Sequence, residues 1–155
     1  MIALLRVDHR LLHGQVVFLW CATLSPDCIL IASDDVARDE LRKTTLRLGK
    51  PSGTKLVIKG VQESIDAINS GVTDKYRMIV LVANVQDATA LAKGCSQVKE
   101  IDLGGTKPSK GTHPISKMIN LSDEDESNLE GLQEQGIRVF TQSVPNEKPV
   151  EYKRR

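Results

Sequence analysis

Short apolar segments alternate with amphipathic segments along the whole of this chain, and that alternation constrains its fold more than any other feature. Six apolar segments are rich in β-branched residues and predict strands, at residues 2–7, 28–33, 55–59, 76–83, 98–103 and 137–142. Strands that alternate with helical crossovers lie parallel in one sheet. The pattern therefore predicts an α/β fold with a single open, mostly parallel twisted sheet and helices on both faces. No repeat or linker interrupts it, so we expect one domain over residues 1–155.

One segment is harder to interpret, and two others give plain predictions between the strands. Residues 15–24 are rich in β-formers and have no polar face, but a crossover is needed there and no hairpin turn precedes them, so we predict a buried helix. Val36, Leu41, Thr45 and Leu48 form a rough helical stripe that ends near Gly49. Residues 104–114 are expected to form a long loop, followed by a further apolar segment at 115–121.

Composition excludes several classes of function. The chain carries 21 Lys and Arg against 20 Asp and Glu, so its charge gives no reason to expect nucleic acid or an anionic membrane as partner. Its three cysteines are odd in number and lack zinc spacing, which favours reduced core residues. The start of the chain has no signal-peptide pattern, and no apolar run could cross a bilayer. We therefore expect a cytoplasmic protein.

The densest set of chemically useful residues follows the first predicted strand. In open α/β sheets ligands bind at the carboxyl ends of the strands, and there the chain places Arg6, Asp8, Arg10 and two histidines. Backbone N–H groups at a helix start, a guanidinium and Gly14, which allows close backbone approach, together suit a phosphate. A neutral imidazole is also a competent nucleophile toward phosphorus.

Spacing alone leaves open which histidine would act. His9 and His13 are four residues apart, and no third ligand accompanies them, so a metal site is not expected. The chain lacks a P-loop and a dinucleotide fingerprint, so no cofactor is predicted. Lys107 and Lys110 could border a phosphate, although a mobile basic loop is the more ordinary interpretation.

The segment RVDHRLLHGQV, residues 6–16, resembles the N-terminal motif of enzyme IIB subunits of the mannose/fructose/sorbose family of the bacterial sugar phosphotransferase system. The similarity extends over nearly the whole chain. It includes ASDDVARDELRKTTLRL at 32–48, IDLGG at 101–105, ISKMINLSDED at 115–125 and QSVPNEKP at 142–149.

This resemblance implies a mainly parallel sheet of about seven strands and a phosphocarrier function. It implies that His13 is the phosphorylated histidine, that Arg10 contacts the phosphoryl group, and that Asp8 orders the loop or orients the imidazole. Arg6 would be a second cation at the phosphate. The implied donor is a phosphohistidine on a IIA protein or domain, and the acceptor is a sugar held by the membrane IIC–IID complex, which would hold the chain at the inner face of the membrane. A homo-oligomer is left open.

The chain departs from the family pattern at two places. His9 stands where the family usually has a second acidic residue, and Thr106 to Lys110 replace a Met-His-Arg-like stretch. Two other functions are considered. A regulatory module could bind a phosphorylated ligand through Arg6 and Arg10 without being phosphorylated. A receiver domain phosphorylated on aspartate is disfavoured, because the third strand ends in Lys59 and Gly60 rather than in an acid.

Overall fold

The computed structural model describes residues 1–154, and Arg155, the last residue of the predicted domain, lies outside them. Strands and helices alternate from the first residues to the last. Their order is β1 (Ile2–Asp8), α1 (Gly14–Leu24), β2 (Cys28–Ala32), α2 (Asp34–Ala37), α3 (Glu40–Leu48), β3 (Lys55–Lys59), α4 (Val61–Ser70), β4 (Met78–Val82), α5 (Val85–Gly94), β5 (Glu100–Gly105), β6 (Thr112–Ser116), β7 (Ile119–Ser122), α6 (Asp123–Glu134), β8 (Arg138–Thr141) and β9 (Val150–Glu151).

The main sheet has seven strands in the order β3-β2-β4-β1-β5-β8-β9. Every neighbouring pair is parallel except β8 and β9. One hydrophobic core lies between the sheet and α4, α5 and α6, and a second lies between the opposite face and α1, α2 and α3. The prediction of an open, mostly parallel sheet with helices on both faces is confirmed.

The central strand β1 fixes the position of the candidate site. It lies between β4 and β5, so its carboxyl end is flanked by the ends of two other parallel strands. Residues 4–8 of β1 are buried, as are all residues of β2 and β4. Such continuous burial is expected of strands covered on both faces. The loop after Asp8 therefore rests on a rigid support.

The structure corrects the prediction for residues 15–24. The helix α1 is present, but only Val17 and Trp20 are buried, while Phe18 and Leu19 are 47% and 45% exposed. A helix on one face of a sheet buries a single stripe, so a helix that is apolar all round leaves its outer side uncovered. The prediction of burial was wrong, and α1 presents an apolar surface to solvent.

The predicted helix up to Gly49 is divided into α2 and α3. The break occurs at Asp39, whose carboxylate accepts a hydrogen bond from the Arg42 N–H and caps α3. Of the predicted stripe, Val36 is fully buried, whereas Leu41 and Leu48 are 79% and 83% exposed. The change of direction after α2 removes these leucines from the core.

The long loop predicted at 104–114 is shorter than expected. Strand β5 continues through Gly105, and β6 begins at Thr112. The segment at 115–121 does not form one element, because β6 and β7 pair as an antiparallel hairpin that turns at Lys117 and Met118. Strand β9 is a further element that the apolar pattern did not predict.

Candidate functional site

The segment between β1 and α1 forms a tight loop held by backbone hydrogen bonds. The His9 N–H donates to the carbonyl of Gly105 at 3.1 Å, and the Leu11 N–H donates to the carbonyl of Asp8 at 2.8 Å. Leu11 adopts a φ of 58°, in the left-handed region that costs a branched side chain about 1–2 kcal/mol. Its side chain is 1% exposed, so burial in the core offsets this strain and anchors the loop.

His13 lies at the mouth of this loop and is exposed to solvent. It occupies the N-cap position of α1 with an extended backbone, and its side chain does not cap the helix. No acidic residue is present in the first turn of α1, so within the described chain no side chain compensates the positive end of the helix. Gly14 has a φ of +39°, a conformation that glycine adopts without a side-chain penalty. An anion at His13 would therefore meet free N–H groups.

Asp8 and Arg10 form a two-point ion pair beneath the loop. Arg10 donates from Nε to Oδ1 of Asp8 at 3.1 Å and from Nη2 to Oδ2 at 3.2 Å, while its backbone N–H donates to Oδ1 at 3.0 Å. Asp8 is 1% exposed and Arg10 is 29% exposed. The carboxylate thus fixes the loop, and Nη1 of Arg10 has no partner in residues 1–154. No contact joins Asp8 to the His13 ring in the same residues.

Arg6 lies inside the protein. It is 3% exposed and donates from Nη1 to Oδ2 of Asp102 at 2.5 Å and to the carbonyl of Gln142 at 2.7 Å. Its Cζ lies 5.6 Å from the centre of the Trp20 ring. A guanidinium with these partners cannot reach a phosphoryl group at the loop surface without breaking buried contacts. Its position gives no support to the predicted phosphate contact.

Two carboxylates and two guanidiniums lie next to one another beneath the loop. Burial raises the pKa of Asp102 to about 7, and the Arg6 guanidinium counteracts part of this rise. Arg6 also lies 3.6 Å from Oδ2 of Asp8. The side chains therefore form a row from the interior to the surface in which carboxylates alternate with guanidiniums. The order of this row is Asp102, Arg6, Asp8 and Arg10.

Gly104 makes room for this arrangement. A Cβ atom on Gly104 would lie 2.1 Å from Cζ of Arg6, so no other residue fits without displacing the guanidinium. At the neighbouring Gly105 the nearest atom would be Oδ1 of Asp8 at 3.6 Å, which is an ordinary contact. Glycine is therefore required at position 104, whereas position 105 has room for a Cβ atom.

His9 lies on the same loop as His13 but is only partly exposed. Its Nδ1 is closed off from solvent and has no hydrogen-bond partner in the described part of the chain. Its ring forms part of the wall of a cleft that is also lined by Lys107 and Lys110. The two lysines are exposed. Residues of the 106–110 loop and His9 thus share the wall of one cleft.

Sequence reasoning missed the partners of Arg6. Asp102 lies 96 residues further along the chain, and Gln142 lies 136 residues further along. One signal was available, because Asp102 stands between the apolar residues Ile101 and Leu103 of a predicted strand and a buried charge needs a partner of opposite sign. His113, which has no partner in the sequence pattern, lies within hydrogen-bond distance of Glu126, its Nε2 being 2.9 Å from Oε2.

The protein is thus an α/β protein with an open sheet, and it carries an exposed histidine on the loop after its central strand, at the edge where such folds bind ligands. The family model described as "PTS system sorbose subfamily IIB component" matches residues 2–154. The chain therefore belongs to the sorbose subfamily of IIB components, and it is a transferase component of a sugar-transporting phosphotransferase system.

Individual relatives agree with this assignment. The chain is 32% identical to the sorbose-specific EIIB component of Lacticaseibacillus casei, over 89% of this chain and 84% of that protein. It is 28% identical to the mannose-specific EIIAB component of Escherichia coli K12, over 92% of this chain and 44% of that protein. The crystal structure of the IIBSor domain of the sorbose permease from Klebsiella pneumoniae superposes with a TM-score of 0.92 at 26% identity, covering 97% of this chain and 93% of that one. None of the helices in residues 1–154 combines the length and apolar character that crossing a bilayer requires.

Proposed function

We propose that His13 accepts a phosphoryl group from a phosphohistidine of a IIA protein and passes it to a sugar at a membrane IIC–IID complex. The observation that carries this proposal is the exposure of His13 at the uncapped N-terminus of α1. A free N-terminus favours negative charge by about 0.3–1 kcal/mol or more, so it stabilises a phosphoryl group on the imidazole.

The first step exchanges one P–N bond for another. A neutral ring nitrogen of His13 attacks the phosphorus of the donor in line, and the bond from phosphorus to the donor imidazole breaks. The proton on the other ring nitrogen of His13 is released and the donor imidazole takes up one proton, so that both rings end neutral. Positioning and charge stabilisation dominate such transfers. We assign the charge stabilisation to Nη1 of Arg10 and to the backbone N–H groups that begin at Gly14. No metal or nucleotide takes part, because the two imidazoles exchange the group at nearly balanced energy.

In the second step an oxygen of the sugar hydroxyl attacks the phosphorus of phosphorylated His13. The P–N bond breaks, the imidazole leaves, and the hydroxyl proton passes to a base or to water. The sugar would be held by the IIC–IID complex, which would bring this chain to the inner face of the membrane. The match to 44% of the mannose-specific EIIAB component supports a IIA partner, because that relative's name couples a IIA part to a IIB part.

Asp8 and Arg6 act as positioning residues in this scheme. Asp8 holds the Arg10 guanidinium through two hydrogen bonds and fixes its backbone through a third. Arg6 compensates the buried charge of Asp8 and Asp102 from below. Both residues would set the geometry of the loop, and neither would touch the phosphoryl group.

The proposal is tested by phosphorylation with a matched IIA protein and the general phosphotransferase proteins. His13→Ala should abolish labelling of this chain, and His9→Ala, the matched histidine four residues earlier, should retain it. The label should be labile in acid and stable in base, as phosphohistidine is. Equal labelling of the His13 variant would reject the assignment. A chain that binds phosphorylated ligands but never becomes labelled would be the regulatory module instead.

A further inference from the structure

A cleft lies at the same edge of the sheet as the His13 loop and shares one residue of that loop, His9, in its wall. It has a volume of about 650 Å³ and is enclosed by the segment after β4, by residues 106–110 and by β7. His13 is not among the described residues that line it. Small-molecule sites have volumes of about 300–1,000 Å³. The cleft therefore has the size of a ligand site of its own.

Three cations border this cleft, and none of them is neutralised. Arg42, Lys107 and Lys110 line it, and their side chains make no hydrogen bond or ion pair with any residue from 1 to 154. One carboxylate, that of Asp125, is also present, but its two oxygens already accept hydrogen bonds from Gln86 and from the Ser122 backbone. The residues that line the cleft therefore carry three cations against one carboxylate, and the cations are available to an anion.

Neutral hydrogen-bonding groups lie beside the cations. The side-chain amide of Asn120 and the hydroxyl of Ser109 line the cleft and have no partner within the described residues. The backbone around them is fixed, because the Asn120 N–H donates to Oγ1 of Thr106 at 2.6 Å and the Ser109 N–H donates to Oγ1 of Thr112 at 2.9 Å. These groups are held in place and are free to bind hydroxyls of a ligand.

We propose that this polar cleft, formed by Arg42, Lys107, Ser109, Lys110 and Asn120, binds a phosphorylated sugar. Unpaired cations fit the phosphate, for which charge-assisted hydrogen bonds are the strongest recognition elements. The amide and hydroxyl beside them fit a ligand with several hydroxyls, because neither side chain has a hydrogen-bond partner within residues 1–154 and both can pair with such a ligand. This inference depends on the proposed phosphocarrier function in one respect: a phosphorylated sugar is the product of such transport.

The wall of the cleft includes one residue of the loop that carries His13. The His9 ring lines the cleft, and the next residue along the chain is Arg10, which is paired with Asp8. Lys107 and Lys110 line the same cleft. A ligand in the polar cleft would therefore lie beside the loop without occupying the position of His13.

The test is titration of the full chain with a hexose 6-phosphate, followed by isothermal calorimetry and by NMR of the backbone amides. Free hexose and inorganic phosphate are the two partial probes. Wild-type protein should bind hexose phosphate more tightly than either. Lys107→Gln combined with Lys110→Gln should weaken hexose phosphate binding at least about tenfold, since two charge-assisted contacts are lost. Lys117→Gln, at the exposed turn of the same hairpin but outside the cleft, should bind as wild type. Asn120→Ala should weaken binding of hexose phosphate but not of inorganic phosphate.

Each alternative result would overturn the inference. Absence of saturable binding at millimolar hexose phosphate would do so, as would equal binding by wild type and the double lysine variant. Equal affinity for inorganic phosphate, with no effect of Asn120→Ala, would reduce the cleft to a simple anion site. If the double variant loses phosphoryl transfer from IIA and still binds hexose phosphate, the lysines contact a protein partner instead. Labelling of His13 is measured separately, so hexose phosphate binding without labelling would refute the phosphocarrier proposal and leave this inference standing.

Discussion

The substitution Gly104→Ala tests whether the buried ion pair beneath the loop has the importance that its geometry indicates. The new Cβ would lie 2.1 Å from Cζ of Arg6. The guanidinium would have to retreat by about 1.4 Å to reach a carbon contact of about 3.5 Å. That movement stretches or breaks its 2.5 Å hydrogen bond to Asp102, and Arg6 and Asp102 are 3% and 0% exposed.

Breaking one partner out of a buried ion pair costs about 3–5 kcal/mol. The lower end of that range applies here, because burial raises the pKa of Asp102 to about 7 and the carboxyl can take up a proton when its partner withdraws. We expect Gly104→Ala to lower the free energy of unfolding by about 3 kcal/mol near neutral pH. The loss should grow as the pH rises through about 7, because the wild-type pair then holds an ionised carboxylate that the variant has lost the cation to stabilise.

Urea unfolding followed by circular dichroism measures this loss. Gly105→Ala is the matched control on the adjacent residue, where the nearest atom would lie 3.6 Å away, and its unfolding free energy should change by less than about 1 kcal/mol. Trp20, the only tryptophan, reports locally, because Cζ of Arg6 lies 5.6 Å from its ring centre. Its emission should change in the Gly104 variant alone. Similar unfolding free energies for the two alanine variants would refute the reasoning.

Two further substitutions probe the stability of the fold. Burial, together with the carboxylates of Asp34 and Asp35, raises the pKa of Asp87 from 3.8 to about 6. The folded state therefore holds this proton more tightly, and its stabilising contribution, present below about pH 4, is lost as the pH rises through about 6. Asp87→Asn should raise the free energy of unfolding by about 1–3 kcal/mol at about pH 8 and leave it nearly unchanged at about pH 4. Urea titration at the two pH values measures this difference. An equal gain at both pH values would contradict the prediction. Tyr152→Phe removes the hydroxyl that donates to Oε1 of buried Glu126 at 2.7 Å and should cost about 1–3 kcal/mol of unfolding free energy in the same assay. The control Tyr76→Phe removes a hydroxyl that is bonded to Lys55 at an exposed position and should cost less than about 0.5 kcal/mol. Equal losses for the two variants would refute this prediction.

The strands and most helices could be predicted because their signals are local. The burial of β2 and β4 follows from runs of apolar residues, and α4 ends at Gly71, which adopts a φ of +85°. The hairpin of β6 and β7 was missed because its turn at Lys117 and Met118 contains none of the residues that favour tight turns. Local pattern therefore predicts elements well where the turn chemistry is standard.

The candidate site could be predicted only in its surface part. The motif from Arg6 to Gln15 placed His13 and Arg10 together, since both lie on one loop after one strand. It could not show that Arg6 points inward, because its orientation depends on Asp102 in a strand 96 residues away. In a strand alternate residues face opposite sides, but both sides of β1 are covered, so periodicity carries no information about which arginine reaches solvent.

The two margins of the main sheet have a consequence for self-association. At one margin β3 carries Lys55 and Lys59 at its ends, and at the other β9 is only two residues long and runs against its neighbour. Charged ends and very short border strands are poor templates for a strand from another molecule. Copies of this protein that meet at high concentration therefore cannot readily join their main sheets into a continuous ribbon.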